Sequence, residues 1–287
     1  MSPHKLNHRF GIAVFCILLL SLGCNDAESD KQKHAKSKMY DFGNPTTIDL
    51  PVGLDELSGL AYYPKDTSVF GVIDEDGILF KIPIMHPSQT TRWIFDKQRD
   101  FEDLILVDST FYALVSNGDI VQINFSGDSI NTKKSEFSQT SGKKNNEFET
   151  LYLDSGKIII LCKECEEDKK SRISSYVFDP INLSYAPYIT IDMAPIANKI
   201  SDEKVALKAS AGAIHPITKD LYLVSSVEKV IVVLDASGTF KELYKLNPKI
   251  YKQPEGISFT PAGDMIISNE VFLEGHANLL ILKNKLK

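Results

Sequence analysis

No apolar run in this sequence is long enough to cross a bilayer with any margin; the longest, residues 10–22, falls well short of the roughly 20 residues a spanning helix needs. Cysteine is scarce, with four in 287 residues, and there is one tryptophan. Cys16 and Cys24 lie in the apolar N-terminal segment, so only Cys162 and Cys165 remain for the rest of the chain. A zinc site would need a second ligand pair at a suitable spacing, and a thioredoxin-like redox site would need the pair at a helix start. Neither context is present, because Cys162 follows a strand-like run at 157–161. A local disulfide and two incidental thiols both stay open. Also missing are a Gly-x-Ser-x-Gly elbow, a His-Glu-x-x-His pair and a phosphate-cradling glycine loop, which removes the starting residues of the common hydrolase, zinc-protease and nucleotide chemistries. No basic stripe interleaved with aromatics occurs. The charge balance is acidic, net -6 overall, and about -8 once Lys5 and Arg9 are set aside with the N-terminal segment. A nucleic-acid partner is therefore not expected.

Lys5 and Arg9 precede the apolar run, which ends in Ser21, Leu22, Gly23 and Cys24. This pattern reads as a secretory signal, and its end resembles a lipoprotein signal-peptidase site in which Cys24 is lipidated. Residues 1–24 are then a signal peptide; an ordinary signal peptide or an uncleaved anchor is the plainer alternative. Residues 25–44 are polar, with Asp26, Glu28 and Asp30 near the start, and read as a flexible tether. Those early acids resemble a surface-export tag of bacterial lipoproteins. The expected location is the bacterial cell envelope, lipid-anchored to a membrane, at the outer membrane or cell surface.

Residues 45–287 read as one domain built from a repeat. Leu57-Ser58-Gly59-Leu60, Phe101-Glu102-Asp103-Leu104, Phe148-Glu149-Thr150-Leu151, Ala211-Gly212-Ala213-Ile214 and Pro254-Glu255-Gly256-Ile257 align with spacings of 44, 47, 62 and 44 residues. Each unit holds short alternating or fully apolar runs separated by turn signals every eight to twelve positions, the pattern of antiparallel strands. In unit two the Asn117-Gly118 pair is that of a type I′ hairpin turn. The long spacing before unit four leaves 192–209 as an insertion with room for a short helix. Unit five has three strands, and a spare strand at 46–50 stands ahead of unit one. The expected fold is all-β: a five-bladed β-propeller whose last blade is closed by the N-terminal strand.

In such a ring, equivalent positions at the start of each innermost strand surround the axis. Glu102, Glu149 and Glu255 fall there, with Glu56 just ahead of strand one. Glu75, Glu164 and Glu270 stand at the ends of second strands and could line the same mouth, although turn tips attract acids for solubility alone. Crowded carboxylates must take up protons or a cation. Oxygen-only donors from separate blades suit a hard ion with irregular coordination, so calcium is the expected cofactor. The bland alternative is a solvated channel that binds nothing specific. At the Ala211 sector the ring lacks a carboxylate, leaving Lys208 or a backbone oxygen there. His215, after the fourth inner strand, is available as a general base and Lys208 as a stabilising charge for hydrolysis, although a strand-end histidine with a satisfied hydrogen bond is the plainer reading.

These motifs, in this order and together with Leu161-Cys-Lys-Glu, Ala209-Ser-Ala-Gly-Ala-Ile-His-Pro216 and Ile267-Ser-Asn-Glu, resemble the SdiA-regulated, YjiK-like family over about residues 46–284. The resemblance implies a calcium-binding five-bladed propeller in a secreted or membrane-anchored bacterial protein. The expected function is an envelope-anchored calcium-binding propeller acting as a binding or scaffold module for an unknown small-molecule, glycan or protein ligand. A metal-dependent hydrolase of esterase, lactonase or phosphatase type is the alternative.

Overall fold

Period-2 alternation sends successive side chains of each strand to opposite faces, and here both faces are dry. In the strand Leu221–Ser225, Leu221 and Leu223 join one apolar cluster while Tyr222 and Val224 join another. Its neighbour Val230–Leu234 divides the same way, with Val230, Val232 and Leu234 on one side and Ile231 and Val233 on the other. A sheet buried on both sides must be sandwiched between two others, and a chain of such sheets closes only as a ring.

The computed structural model, which describes residues 37–138, 146–168, 171–200, 207–271 and 275–286, has that ring. Blade one comprises β2 (Leu57–Tyr63), β3 (Ser68–Ile73), β4 (Ile78–Pro83) and β5 (Thr91–Ile94). Blade two comprises β6 (Phe101–Val107), β7 (Thr110–Val115), β8 (Ile120–Ser126) and β9 (Ser129–Ser135). Blade three comprises β10 (Glu147–Asp154), β11 (Lys157–Glu164), β12 (Arg172–Asp179) and β13 (Ser184–Asp192). Blade four comprises β14 (Ala211–Ile214), β15 (Leu221–Ser225), β16 (Val230–Leu234) and β17 (Phe240–Lys245). Blade five contains β18 (Pro254–Phe259), β19 (Met265–Asn269) and β20 (Asn278–Leu282), and its fourth strand is β1 (Thr46–Asp49), antiparallel to β20 with Thr46 opposite Ile281. The spare N-terminal strand thus closes the last blade as expected. The inner strands β2, β6, β10, β14 and β18 each touch the next, and β18 returns to β2. Five apolar clusters fill the five junctions between blades.

Two details correct the reading from sequence, and a third bears it out. Residues 1–36, including Cys24, lie outside the described residues, but 37–44 are not tether-like. Tyr40 is 1% exposed and packs with Met39 and Phe42 against the cluster between blades four and five, while the Tyr251 hydroxyl donates to the Phe42 carbonyl at 3.1 Å. Two aromatics and a methionine give this stretch enough apolar surface to dock. The Asn117-Gly118 turn is not type I′, since only Gly118 has positive φ, at 91°. Gly118 N–H donates to Val115 and Val115 N–H to Asp119, which makes a longer loop, and a Cβ on Gly118 would collide with Phe137 and Phe148. The insertion before blade four does hold a helix, α1 (Ala194–Ile200), whose Ile196 and Ile200 cover the junction of blades three and four.

Candidate functional site

Residues three apart face opposite sides of a regular strand, yet Phe101 and Leu104 share one cluster, as do Phe148 and Leu151, and Leu57 and Leu60. A β-bulge at each place resolves this. The β6–β7 register passes from Phe101↔Val115 to Asp103↔Leu114 and leaves Glu102 as the extra residue. Likewise Glu149 is extra between Phe148↔Cys162 and Thr150↔Leu161, and Glu255 between Pro254↔Asn269 and Gly256↔Ser268. In blade one, Ser58 and Gly59 together stand between Leu57↔Ile73 and Leu60↔Gly71. Bulges re-aim single side chains without disturbing the apolar residues around them. In this way blades one, two, three and five keep their cores while turning polar residues toward the axis.

The released carboxylates meet. Lys163, between the disulfide-bonded Cys162 and Cys165, forms ion pairs with Glu149 and, at 3.2 Å, with Glu147. Its charge also acts on Glu102 and Glu255. Burial, then repulsion from Asp100, pushes the pKa of Glu102 up to about 9 against the pull of Lys163. Glu255 is raised by burial, opposed by hydrogen bonds from the Ser210 and Ser226 hydroxyls and by Lys163 and Lys229. Glu270 accepts from the Ser58 hydroxyl at 3.1 Å and from Gln253 Nε2 at 2.6 Å; burial and its neighbours Glu255, Asp74 and Glu56 push it up to about 8. Glu56 is raised chiefly by Asp74, which is itself raised by burial and has a buried Oδ1 without a hydrogen-bond partner among the described residues. Carboxylates from blades one, two, three and five therefore share one mouth of the channel.

Not every expected residue takes part. Glu75 is exposed at the rim, where Asp74 rather than Glu75 reaches inward, and Glu75 enters only as a distant repulsion on Glu56. Glu164 points outward and pairs with Lys208, because its neighbour Lys163 takes the inward direction and adjacent strand residues alternate. Lys208 is thereby withdrawn from the mouth. In blade four Ala211 pairs in register with Val224 and faces the cluster between blades four and five, so the residue beside Glu255 is Ser210, one position earlier. A one-residue shift of register is enough to exchange the two faces.

His215 is not at this mouth. It follows β14, at the opposite end of the inner strand, is 0% exposed, accepts from Ile217 and Thr218 N–H through Nδ1, and stacks among Tyr40, Tyr222 and Phe259. Burial lowers its pKa. That other end of the channel is apolar, a cavity of about 520 Å³ whose walls include Leu60, Ile105, Leu153, Ile214 and Phe259. At its base lies Asp103, which sequence reasoning passed over although it stands in the repeated motif. Its carboxylate accepts N–H groups of Leu104 and Leu151, each at 2.8 Å, and of Leu60, one from each of blades two, three and one.

The fold recurs in glutaminyl cyclase from Myxococcus xanthus, with TM-score 0.58, 14% identity, and coverage of 83% of this chain and 95% of that one. It recurs also in regucalcin from Agrobacterium tumefaciens strain C58, a calcium-binding protein, with TM-score 0.50, 11% identity, and coverage of 87% and 96%. At such identities the likeness is one of fold. No curated protein sequence matches the chain. The SdiA-regulated family model matches residues 46–273, the span that holds all five repeated motifs and the acidic mouth they build, and the chain belongs to that family.

Proposed function

We propose that this propeller is a calcium-binding module of the bacterial envelope, anchored through a lipid on Cys24, with the acidic mouth as its binding face. One observation carries the cation: Glu56, Asp74 and Glu270 are drawn together from blades one and five, Asp74 raises the pKa of both glutamates, and a buried carboxylate oxygen of Asp74 has no hydrogen-bond partner among the described residues. Lys163 serves the Glu149 side and does not appear among the influences on Glu56, Asp74 or Glu270. An all-oxygen donor set fits a hard divalent ion, and calcium tolerates donors supplied by separate loops better than magnesium does. When bound, the ion supplies positive charge that no side chain provides on that side. The calcium-binding regucalcin, which shares the fold, is consistent with this reading. Hydrolysis is less well supported, because His215 stands at the opposite mouth among aromatic rings.

Calorimetric titration of the purified protein with calcium tests the proposal. Binding that is lost in Glu270→Gln and Asp74→Asn is expected; no binding in the wild type would refute it. Lys163→Met leaves the buried Glu149 carboxylate without its ion pair and should lower the melting temperature in chelator by several degrees. For the anchor, Cys24→Ser should move the protein from the membrane to the soluble fraction. No helix among the described residues is long and apolar enough to cross a membrane, so retention at the membrane in that variant would count against lipid anchoring.

A further inference from the structure

Blade four breaks the ring of glutamates, and the space beside that break is a cavity of about 380 Å³, within the size range of small-molecule sites. Three lysines line it: Lys163 from blade three, Lys229 from blade four and Lys252 from the segment that leads into blade five. Lys163 is engaged by Glu149 and Glu147. Lys229 is different: half-buried, it donates to the Lys252 carbonyl at 2.6 Å, and among the described residues no carboxylate lies within ion-pair distance of it. Burial pushes its pKa below the ordinary lysine value, with Glu255 as the opposing influence. An ammonium group partly removed from water without a matched counter-charge is costly to the fold, and an anion entering the cavity would relieve that cost. Glu255, on the same wall, is turned toward the Ser210 and Ser226 hydroxyls.

We propose that this cavity binds a small carboxylate-bearing molecule, its anionic head against Lys229 and Lys252 in the sector where Ser210 stands and blades two, three and five present glutamate. A carboxylate matches the group that the ring lacks there. Phosphate fits less well, because it concentrates nearly two negative charges on one head beside Glu149 and Glu255, whereas a carboxylate head brings one. The proposal shares with the calcium reading only the location of the ion beside the cavity.

Succinate is the probe, with dimethyl succinate as the uncharged control, titrated calorimetrically into the full-length protein in calcium and, separately, in chelator. Succinate is expected to bind and its diester not to. Lys229→Met and the exposed Lys252→Met should each weaken succinate by about tenfold or more, the usual scale for a lost charge-assisted hydrogen bond. Ser210→Asp, which supplies the missing carboxylate from the chain itself, should abolish succinate binding. Absence of succinate binding in both buffers, or unchanged binding in Lys252→Met, overturns the proposal. Succinate binding in chelator by a protein that takes up no calcium would instead overturn the calcium reading and leave this one standing.

Discussion

Asp103→Ala is expected to lower the melting temperature by roughly 6–12 °C, taking about 3 kcal/mol for the loss and 2–4 °C per kcal/mol for a domain of this size. The reasoning is a count of donors. Three backbone N–H groups, from Leu60, Leu104 and Leu151, converge on one carboxylate that is 2% exposed, and alanine leaves all three facing an apolar cavity. Buried donors that lose their acceptor cost far more than the bond's net contribution. Because the three donors belong to three different blades, the carboxylate ties the inner strands together at the axis. Gly59 makes the contact possible: a Cβ there would stand 2.4 Å from Leu104 N and 2.5 Å from the Asp103 carbonyl carbon, so only glycine lets β2 approach β6 this closely. The isosteric Asp103→Asn distinguishes this account from simple packing, since it keeps the volume but turns an amide N–H₂ toward a backbone N–H. A melting temperature within about 1 °C of wild type for Asp103→Asn would mean that the three donors are satisfied some other way.

The architecture was legible because its signal is periodic and redundant. Five motifs at nearly regular spacing, turn residues between apolar runs, and a spare strand at one end of the domain where the last unit lacks one all point to a closed ring, and errors of a residue at strand ends do not disturb it. The site was only partly legible, for three physical reasons. Side-chain direction near a bulge does not follow from alternation: alignment of the motifs puts Ala211 beside Glu102 and Glu149, but blade four pairs in register at Ala211 and presents Ser210 instead. Counter-charge is also hard to foresee, because Lys163 and Glu164 are adjacent, and only the bulge that sets Glu147 opposite Glu164 and Phe148 opposite Cys162 decides that the lysine turns inward. Finally, the tether reading of 25–44 averaged a polar segment with Met39, Tyr40 and Phe42, three apolar side chains whose docking surface comes from distant blades.

Raising the pH from 5 to 9 in chelator is expected to lower the melting temperature by at least about 5 °C, and saturating calcium should remove the part of that slope that Glu270 sets. The sign follows from proton counting. In the folded protein Glu102 and Glu270 hold their protons up to about 9 and about 8, whereas in the unfolded chain they release them near the ordinary glutamate value of 4.5. Between those limits the native state binds more protons, so stability is complete below about pH 4.5, declines as pH rises and is lost above about 9. Each unit of raised pKa corresponds to about 1.4 kcal/mol, and even a modest part of the combined shift exceeds 2 kcal/mol, which at 2–4 °C per kcal/mol gives the stated change. The lowered groups Asp41, Asp66, Asp179 and Asp235 act in the opposite direction only at acid pH, outside this window, while the single buried His215, lowered by burial, opposes the trend at the acid end of the window and is outweighed by the two glutamates. Calcium competes with the proton on Glu270 for the same oxygens, so its affinity should rise as that group ionises and its stabilisation should be greatest where the apo protein is weakest. Glu102→Gln and Glu270→Gln each remove one titrating group and should flatten the chelator curve separately. A melting temperature independent of pH between 5 and 9 in chelator would show that these carboxylates are already ionised and compensated in the native state, leaving calcium no charge to neutralise.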